Sequence, residues 1–265
     1  MVQQQPRYSA DELARLYSGD YYVFDEDDAH RAARAAQQYA VHLAPIEHLP
    51  SRRLLDVGCA LGHFSALARD RGWQVVGLDV SADAARRATE RFGIKVFIGT
   101  LEEHAESLSP FDAVFLGDVI EHVPHPLHFL RDVRRVLAPS GIVCIDTPNW
   151  GGFWRRWGGR HWLGLNRFHI NLFDASSLAN LLTSAGFTNI VAGSYTHHRY
   201  TRLASRPEIA ALIARLSRAL AWRVNRLLTG RSRRDANGPA PSTVARFQPR
   251  ADLRGDNLIA RAKTP

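Results

Sequence analysis

From residue 53 onward, short apolar runs alternate with stretches in which apolar residues recur every three or four positions. The runs fall at 53–57, 74–79, 95–98, 111–117 and 142–146. The intervening segments 64–71, 82–91 and 127–137 have the helical spacing. The runs are apolar at nearly every position, as in strands covered on both faces. Strands alternating with helices require βαβ crossovers and a mostly parallel sheet. Residues 9–44, Ala-rich and of mixed charge, read as helical with a break near Gly19. The pattern therefore predicts a doubly wound α/β sheet preceded by N-terminal helices.

The alternation breaks at residues 148–168, where Gly, Trp and Arg crowd together. Four of the six tryptophans lie there: Trp150, Trp154, Trp157 and Trp162. This reads as a long loop beyond the fifth strand, either a lid over a pocket or an apolar plug on the sheet edge. Tryptophan faces suit sugars and isoprenoid chains, and Arg155, Arg156 and Arg160 suit phosphate. A helix at 175–184 and a strand near 188–192 resume the pattern, and 257–262 supplies a last short strand. The expected organisation is an N-terminal helical segment at 1–50, a central α/β domain at 51–200 and a basic helical extension at 201–265. Within the extension, residues 231–250 are polar, contain Gly and Pro, and read as a mobile connection.

The length of 265 residues, with 45% hydrophobic and 23% charged residues, suits one large core with appendages. Cys59 and Cys144 are the only cysteines and sit in apolar contexts, which fits a reducing compartment. The sequence shows neither a signal peptide nor an apolar run of spanning length, so the expected location is cytoplasmic. Charge is uneven. Residues 1–200 hold 20 basic and 22 acidic side chains, whereas residues 201–265 hold 14 and 4. Within that basic region, Ile209, Leu212, Ile213, Leu216, Leu220, Val224 and Leu227 recur at helical spacing. Residues 207–228 thus read as a basic amphipathic helix, suited either to packing on the domain or a second subunit or to peripheral contact with an anionic membrane.

The segment LLDVGCALGHFS at 54–65 is a strand, a glycine-containing turn and a helix start. Gly58 and Gly62 permit a tight turn and close approach to a ligand. Asp56 stands at the strand end, where an ammonium can be received. The next strand ends in Asp79, placed to accept both hydroxyls of a ribose. Turn and acid together indicate an adenosine-containing ligand. No Gly-Lys-Ser/Thr phosphate loop exists, and the only lysines are Lys95 and Lys263. Neither has a tyrosine four residues before it, which removes short-chain dehydrogenase chemistry. Ala60 between the glycines also departs from the dinucleotide fingerprint.

LDVGCALG, Asp79, FDAVFLGDVIEHVPHP at 111–126 and LAPSGIVCIDTPN at 137–149 together resemble the motifs of class I S-adenosylmethionine-dependent methyltransferases. The last of these, with HINLFDASSLANLLTSAGF at 169–187, is similar to ubiquinone-type O-methyltransferases and bacterial glycan-cluster methyltransferases. The resemblance spans roughly residues 50–195. It implies a Rossmann-like seven-stranded sheet in the order 3-2-1-4-5-7-6 with the last strand antiparallel, and S-adenosylmethionine as cofactor. By the same resemblance, Gly58, Cys59 and Gly62 hold the methionine end, Asp79 the ribose, and Val80, Thr100 and Leu101 the adenine. Gly117 and Asp118 lie near the methyl group. Asp118, Glu121 and His122 resemble a metal-assisted cluster that could hold Mg²⁺ through carboxylates and water, although no metal ligand is assigned here.

Methyl transfer from a sulfonium needs chiefly alignment, plus a base when the acceptor loses a proton. His122 and His169 are the candidate bases, with Asp118 beside them. For either histidine a packing role is the competing reading. The expected reaction is methylation of a small molecule, glycan or lipid-linked acceptor, at oxygen. The alternatives are a nucleic-acid methyltransferase using the basic C-terminal region and a non-catalytic cofactor-binding scaffold. Asp146-Thr147-Pro148-Asn149 in place of an Asn-Pro-Pro-aromatic motif speaks against a nucleic-acid base as substrate. The sequence leaves the oligomeric state open.

Overall fold

The computed structural model describes residues 1–3, 12, 28–49, 51–108, 110–162, 164–195 and 256–265. A two-residue strand, β1 (Val2–Gln3), precedes helix α1 (Asp28–His42). The alternating body follows: β2 (Arg53–Val57), α2 (His63–Asp70), β3 (Gln74–Asp79), α3 (Ala82–Phe92), β4 (Lys95–Ile98) and the short α4 (Leu101–His104). It continues with β5 (Phe111–Gly117), α5 (Pro126–Val136), β6 (Leu137–Pro148), α6 (Phe153–Gly158), β7 (Asn171–Leu172) and α7 (Ala175–Ser184). The chain closes with β8 (Thr188–Tyr195) and β9 (Asn257–Lys263). A small antiparallel ribbon pairs β1 with β7.

The main sheet has the order β4-β3-β2-β5-β6-β9-β8, which is the expected 3-2-1-4-5-7-6 when its seven strands are counted in chain order. Only β9 runs antiparallel to its neighbours β6 and β8. The apolar runs serve two cores at once, because successive residues of a strand point to opposite faces. Leu55, Val114, Leu116, Val143 and Ile145 pack with Leu130 and Val133 of α5 and Leu178 and Leu182 of α7. Leu54, Ala113, Phe115, Ile142 and Cys144 pack with Ala35 and Tyr39 of α1 and Phe64 and Ala68 of α2. Both cysteines are buried and unbridged.

Local chemistry sets the helix ends. Ser81 caps α3 by accepting from the Ala84 amide at 3.2 Å, and Gly93 ends it in a left-handed conformation. Asp174 and Ser177 form a reciprocal capping box on α7. Arg91 at the end of α3 grips Asp28 at the start of α1 with two hydrogen bonds, at 2.7 and 2.9 Å.

Two expectations need correction. The fifth run extends to twelve residues, Leu137–Pro148, because β9 pairs with it from Ile142 to Pro148 and Phe111 of β5 pairs with Leu137. The expected loop at 148–168 contains α6 and a 3-10 turn, Gly159–His161. The basic helix at 207–228 and the connection at 231–250 lie outside the described residues. Among the described residues, no helix is long and apolar enough to cross a membrane.

Candidate active site

The strand order reverses beside β2, whose neighbours β3 and β5 lead in opposite directions, and ligands of such sheets bind at the strand carboxyl ends there. The turn between β2 and α2 is built on backbone that side chains resist. A Cβ on Gly58, at φ 70°, would stand 2.7 Å from Val119 Cγ2. One on Gly62, at φ 79°, would stand 2.9 Å from the Ala88 Cβ, so the glycine lets α2 start against α3. Gly58 and Cys59 both donate their amides to the Leu78 carbonyl, at 2.7 and 3.2 Å. The turn is thereby fastened to the end of β3.

Asp79 is buried, with Oδ2 accepting from the Ala60 amide and Oδ1 from the Ser81 amide, each at 2.8 Å. Beside it, Val80 is 54% exposed and Ile98, paired with Asp79 in the sheet, is 55% exposed. Two apolar side chains left open at adjacent strand ends make faces for a flat ring. These features fit the ribose and adenine of an adenosine cofactor.

Other expected contacts are placed differently. Leu101 is packed in the core, because Thr100 and Glu103 form a capping box that turns α4 inward; Ile98 offers the open apolar surface instead. Cys59 is buried, and burial pushes its thiol far above the ordinary range. Asp56 lies beneath the turn and accepts from Ser65 Oγ at 2.5 Å, and burial pushes its carboxyl up to about 7. It braces the start of α2 from below.

Gly117 and Asp118 end β5 as expected. Asp118 adopts a left-handed φ of 52° and pairs with Arg34 of α1. Arg34, Gln38 and His42 follow at four-residue steps, which places them on one face of α1. Gln38 Nε2 lies 3.3 Å from where a Gly117 Cβ would stand, and His42 Nε2 lies 3.5 Å from Asp146 Oδ2. Asp146 also accepts from Tyr195 Oη at 2.5 Å and Asn257 Nδ2 at 2.7 Å. Burial works to raise that carboxyl, but the His42, Tyr195 and Asn257 partners together hold it below its usual range.

The two candidate bases meet. His122, in the 3-10 turn Ile120–His122, lies edge-on to His169 with ring centroids 4.8 Å apart. His122 Nδ1 is 2.9 Å from the Phe168 carbonyl, and His169 Nδ1 is 3.0 Å from the Gly164 carbonyl. A carbonyl only accepts, so both Nδ1 atoms carry the proton and both Nε2 atoms carry the lone pair. Burial, with His169 adjacent, pushes His122 down to about 3; burial pushes His169 down to about 4. Both rings are therefore neutral at physiological pH.

Glu121 completes this group. Its Oε2 accepts from Thr147 Oγ1 at 2.9 Å, while its buried Oε1 has no hydrogen-bond partner. Burial, reinforced by Asp146, pushes its carboxyl up to about 8. Glu121, His122 and His169 each bring a possible ligand atom within 4.8 Å of the others. Asp118, the third donor expected from the sequence, is engaged by Arg34 instead.

Comparison with known proteins agrees with this architecture. Residues 25–192, more than half of the chain, match the family described as a methyltransferase domain. A probable S-adenosylmethionine-dependent methyltransferase of Mycobacterium tuberculosis is 28% identical over 206 residues, covering 77% of this chain and 73% of that protein. A ubiquinone biosynthesis O-methyltransferase of a Caulobacter species is 38% identical over 104 residues, covering 37% of this chain and 41% of that protein. The crystal structure of a SAM-dependent methyltransferase from Archaeoglobus fulgidus covers 92% of this chain and 99% of its own, with a TM-score of 0.59 at 18% identity, a likeness of fold. By its match to the family and its strand order, the chain belongs to the methyltransferase-domain family, the S-adenosylmethionine-dependent methyltransferases.

Proposed function

We propose that the chain methylates an oxygen of a small-molecule, glycan or lipid-linked acceptor, with the His122–His169 pair receiving the acceptor's proton. The observation that carries this reading is the tautomer of the pair. Both Nδ1 atoms are held by backbone carbonyls, which directs the basic Nε2 lone pairs away from those bonds. When bound, S-adenosylmethionine supplies a methyl group on a positive sulfur whose departure leaves a neutral thioether. Asp79 accepts the ribose hydroxyls, Val80 and Ile98 cover the adenine, and the turn at residues 58–62 admits the methionine end.

A histidine held near pKa 4 is a weak base, yet it suffices here. An acceptor hydroxyl becomes strongly acidic as its oxygen bonds to the methyl group, so the proton moves late and downhill. Being neutral at physiological pH, the pair also imposes no prior deprotonation. The experiment is methyl transfer to a panel of glycans, lipids and quinone precursors, followed by His169→Gln and His122→Gln with the best acceptor. A fall of about 10²-fold or more with unchanged S-adenosylhomocysteine affinity is expected. Full activity in both variants refutes the base assignment.

A second reading rests on the unpartnered Glu121 Oε1. Glu121, His122 and His169 would hold a divalent cation, which would supply Lewis-acid activation of an acceptor hydroxyl; two imidazoles and a carboxylate suit a first-row transition metal better than Mg²⁺. Calorimetric titration with Zn²⁺ or Mn²⁺ tests it, since Glu121→Gln should lose any uptake that the unmodified protein shows. Absence of uptake by the unmodified protein removes this reading.

A further inference from the structure

Helix α6 consists of Phe153, Trp154, Arg155, Arg156, Trp157 and Gly158, and none of its residues is buried. Phe153 is 54% exposed and Trp157 75% exposed, the latter the most exposed large apolar side chain among the described residues. The rings form a continuous ladder. Phe153 meets Trp154 edge-on at 5.7 Å, and Trp154 meets Trp157 at 5.9 Å. Half of this helix is aromatic, and Phe153 and Trp157 stay exposed on its own domain, which leaves an apolar face to be covered from outside.

The foot of this segment is firmly built. Trp162 is buried and packs edge-on against Trp150 at 6.2 Å, and the Arg155 guanidinium lies 3.8 Å over the Trp150 ring. The Trp150 amide donates to the Phe173 carbonyl at 2.9 Å, and the Gly152 amide to the Asn149 carbonyl at 3.0 Å. A rigid base thus holds up an exposed aromatic tip.

Charge identifies the occupant. Residues 147–173 carry Arg155, Arg156, Arg160 and Arg167 and not one Asp or Glu. We propose that α6 and its flanking loop are a docking face for an anionic lipid bilayer. The Phe153 and Trp157 rings enter the boundary between headgroups and acyl chains, and the exposed Arg156 and Arg167 meet lipid phosphates. The same segment leads to Phe168 and His169, which contact His122, so docking brings the histidine pair toward the membrane surface. Docking stands independently of the acceptor's identity and of the chemistry proposed for the histidines.

The test is flotation of the full chain with vesicles of phosphatidylcholine alone and of equimolar phosphatidylcholine and phosphatidylglycerol. The unmodified protein should float with the anionic vesicles. The double variant Phe153→Ser, Trp157→Ser should bind them on the order of tenfold more weakly, Trp157→Phe should retain binding, and Arg156→Glu should reduce the preference for the anionic vesicle. The replaced side chains are exposed, and circular dichroism verifies the fold of each variant. The basic region at 207–228 is present throughout, so equal binding by the double variant overturns the proposal. Failure of the unmodified protein to float with either vesicle also overturns it, and points instead to an acidic protein surface over α6.

Discussion

The Ala60 amide donates to Asp79 Oδ2 at 2.8 Å, so the acid expected to bind ribose is also the strut of the glycine turn between β2 and α2. By the resemblance, Ala60 stands at the second of three positions often held by glycine, between Gly58 and Gly62, and it holds a left-handed φ of 47°. That conformation costs a non-glycine residue roughly 1–2 kcal/mol. The bond to Asp79, together with the amides of Gly58 and Cys59 on Leu78, offsets the strain. Asp79 and the glycine turn are one mechanical unit.

Replacing Asp79 should therefore act twice. Asp79→Ala loses the acceptor for the ribose hydroxyls and releases the Ala60 and Ser81 amides, and should weaken S-adenosylhomocysteine binding by about 1–3 kcal/mol. Asp79→Asn keeps one acceptor oxygen and should fall between. Calorimetric titration of the three proteins checks the order. Equal affinities would remove the ribose from Asp79.

Two substitutions in the turn should have opposite signs. Ala60→Gly relieves a strained φ but loosens the unfolded chain, for a net change between neutral and about 1 kcal/mol stabilising. Gly62→Ala places a methyl 2.9 Å from the Ala88 Cβ at a φ of 79°. It should destabilise by about 1–3 kcal/mol. Urea unfolding distinguishes them, and a stable Gly62→Ala would show that α2 and α3 can part.

Asp56 makes stability depend on pH. Burial raises its carboxyl to about 7, above the ordinary aspartate value near 4. Its contribution is complete below pH 4 and is lost as pH rises from 4 through 7, because the unfolded state ionises there while the buried carboxyl holds its proton. Asp56→Asn keeps an oxygen to accept from Ser65 and cannot ionise. The variant should gain on the unmodified protein between pH 4 and 8, by on the order of 2–4 kcal/mol in full. Urea unfolding at several pH values measures this difference. A difference that does not change with pH would mean Asp56 ionises normally.

Much of this was legible in the chain for physical reasons. The runs at 53–57, 74–79, 95–98 and 111–117 coincide with β2 to β5, because each is apolar on both faces and bounded by polar or turn residues. The helix read at 175–184 coincides with α7, whose Asp174 cap is visible in sequence. Leu101 shows the limit. The family resemblance implies an adenine contact for it, while the cap at Thr100 sends the side chain into the core. The face of Arg34, Gln38 and His42 was hidden for a different reason. Polar residues at four-residue steps in an Ala-rich helix look like a solvated face. They turn toward the sheet because Asp118 and Asp146, over eighty residues later, stand opposite. The four-residue spacing was the available signal, and nothing local distinguished it from solvent exposure.

Asp146 ties the antiparallel edge of the sheet to the site. It belongs to β6, yet its hydrogen-bond donors come from β8 and β9: Tyr195 Oη at 2.5 Å and Asn257 Nδ2 at 2.7 Å. Its backbone carbonyl accepts from the Asp118 amide at 2.8 Å, which leads directly to the end of β5. Tyr195→Phe removes one donor from a fully buried carboxylate with little change in volume. It should cost about 1.5–3 kcal/mol, the range for a hydrogen bond to a charged group. If Asp146 also positions Asp118, the same variant should slow methyl transfer while leaving S-adenosylhomocysteine affinity intact, since Asp79, on β3, lies across β2 from β5 and β6. Urea unfolding reads the first effect and the ratio of kcat to cofactor affinity the second. Loss of stability with unchanged kcat would make Asp146 a structural anchor of β8 and β9 alone.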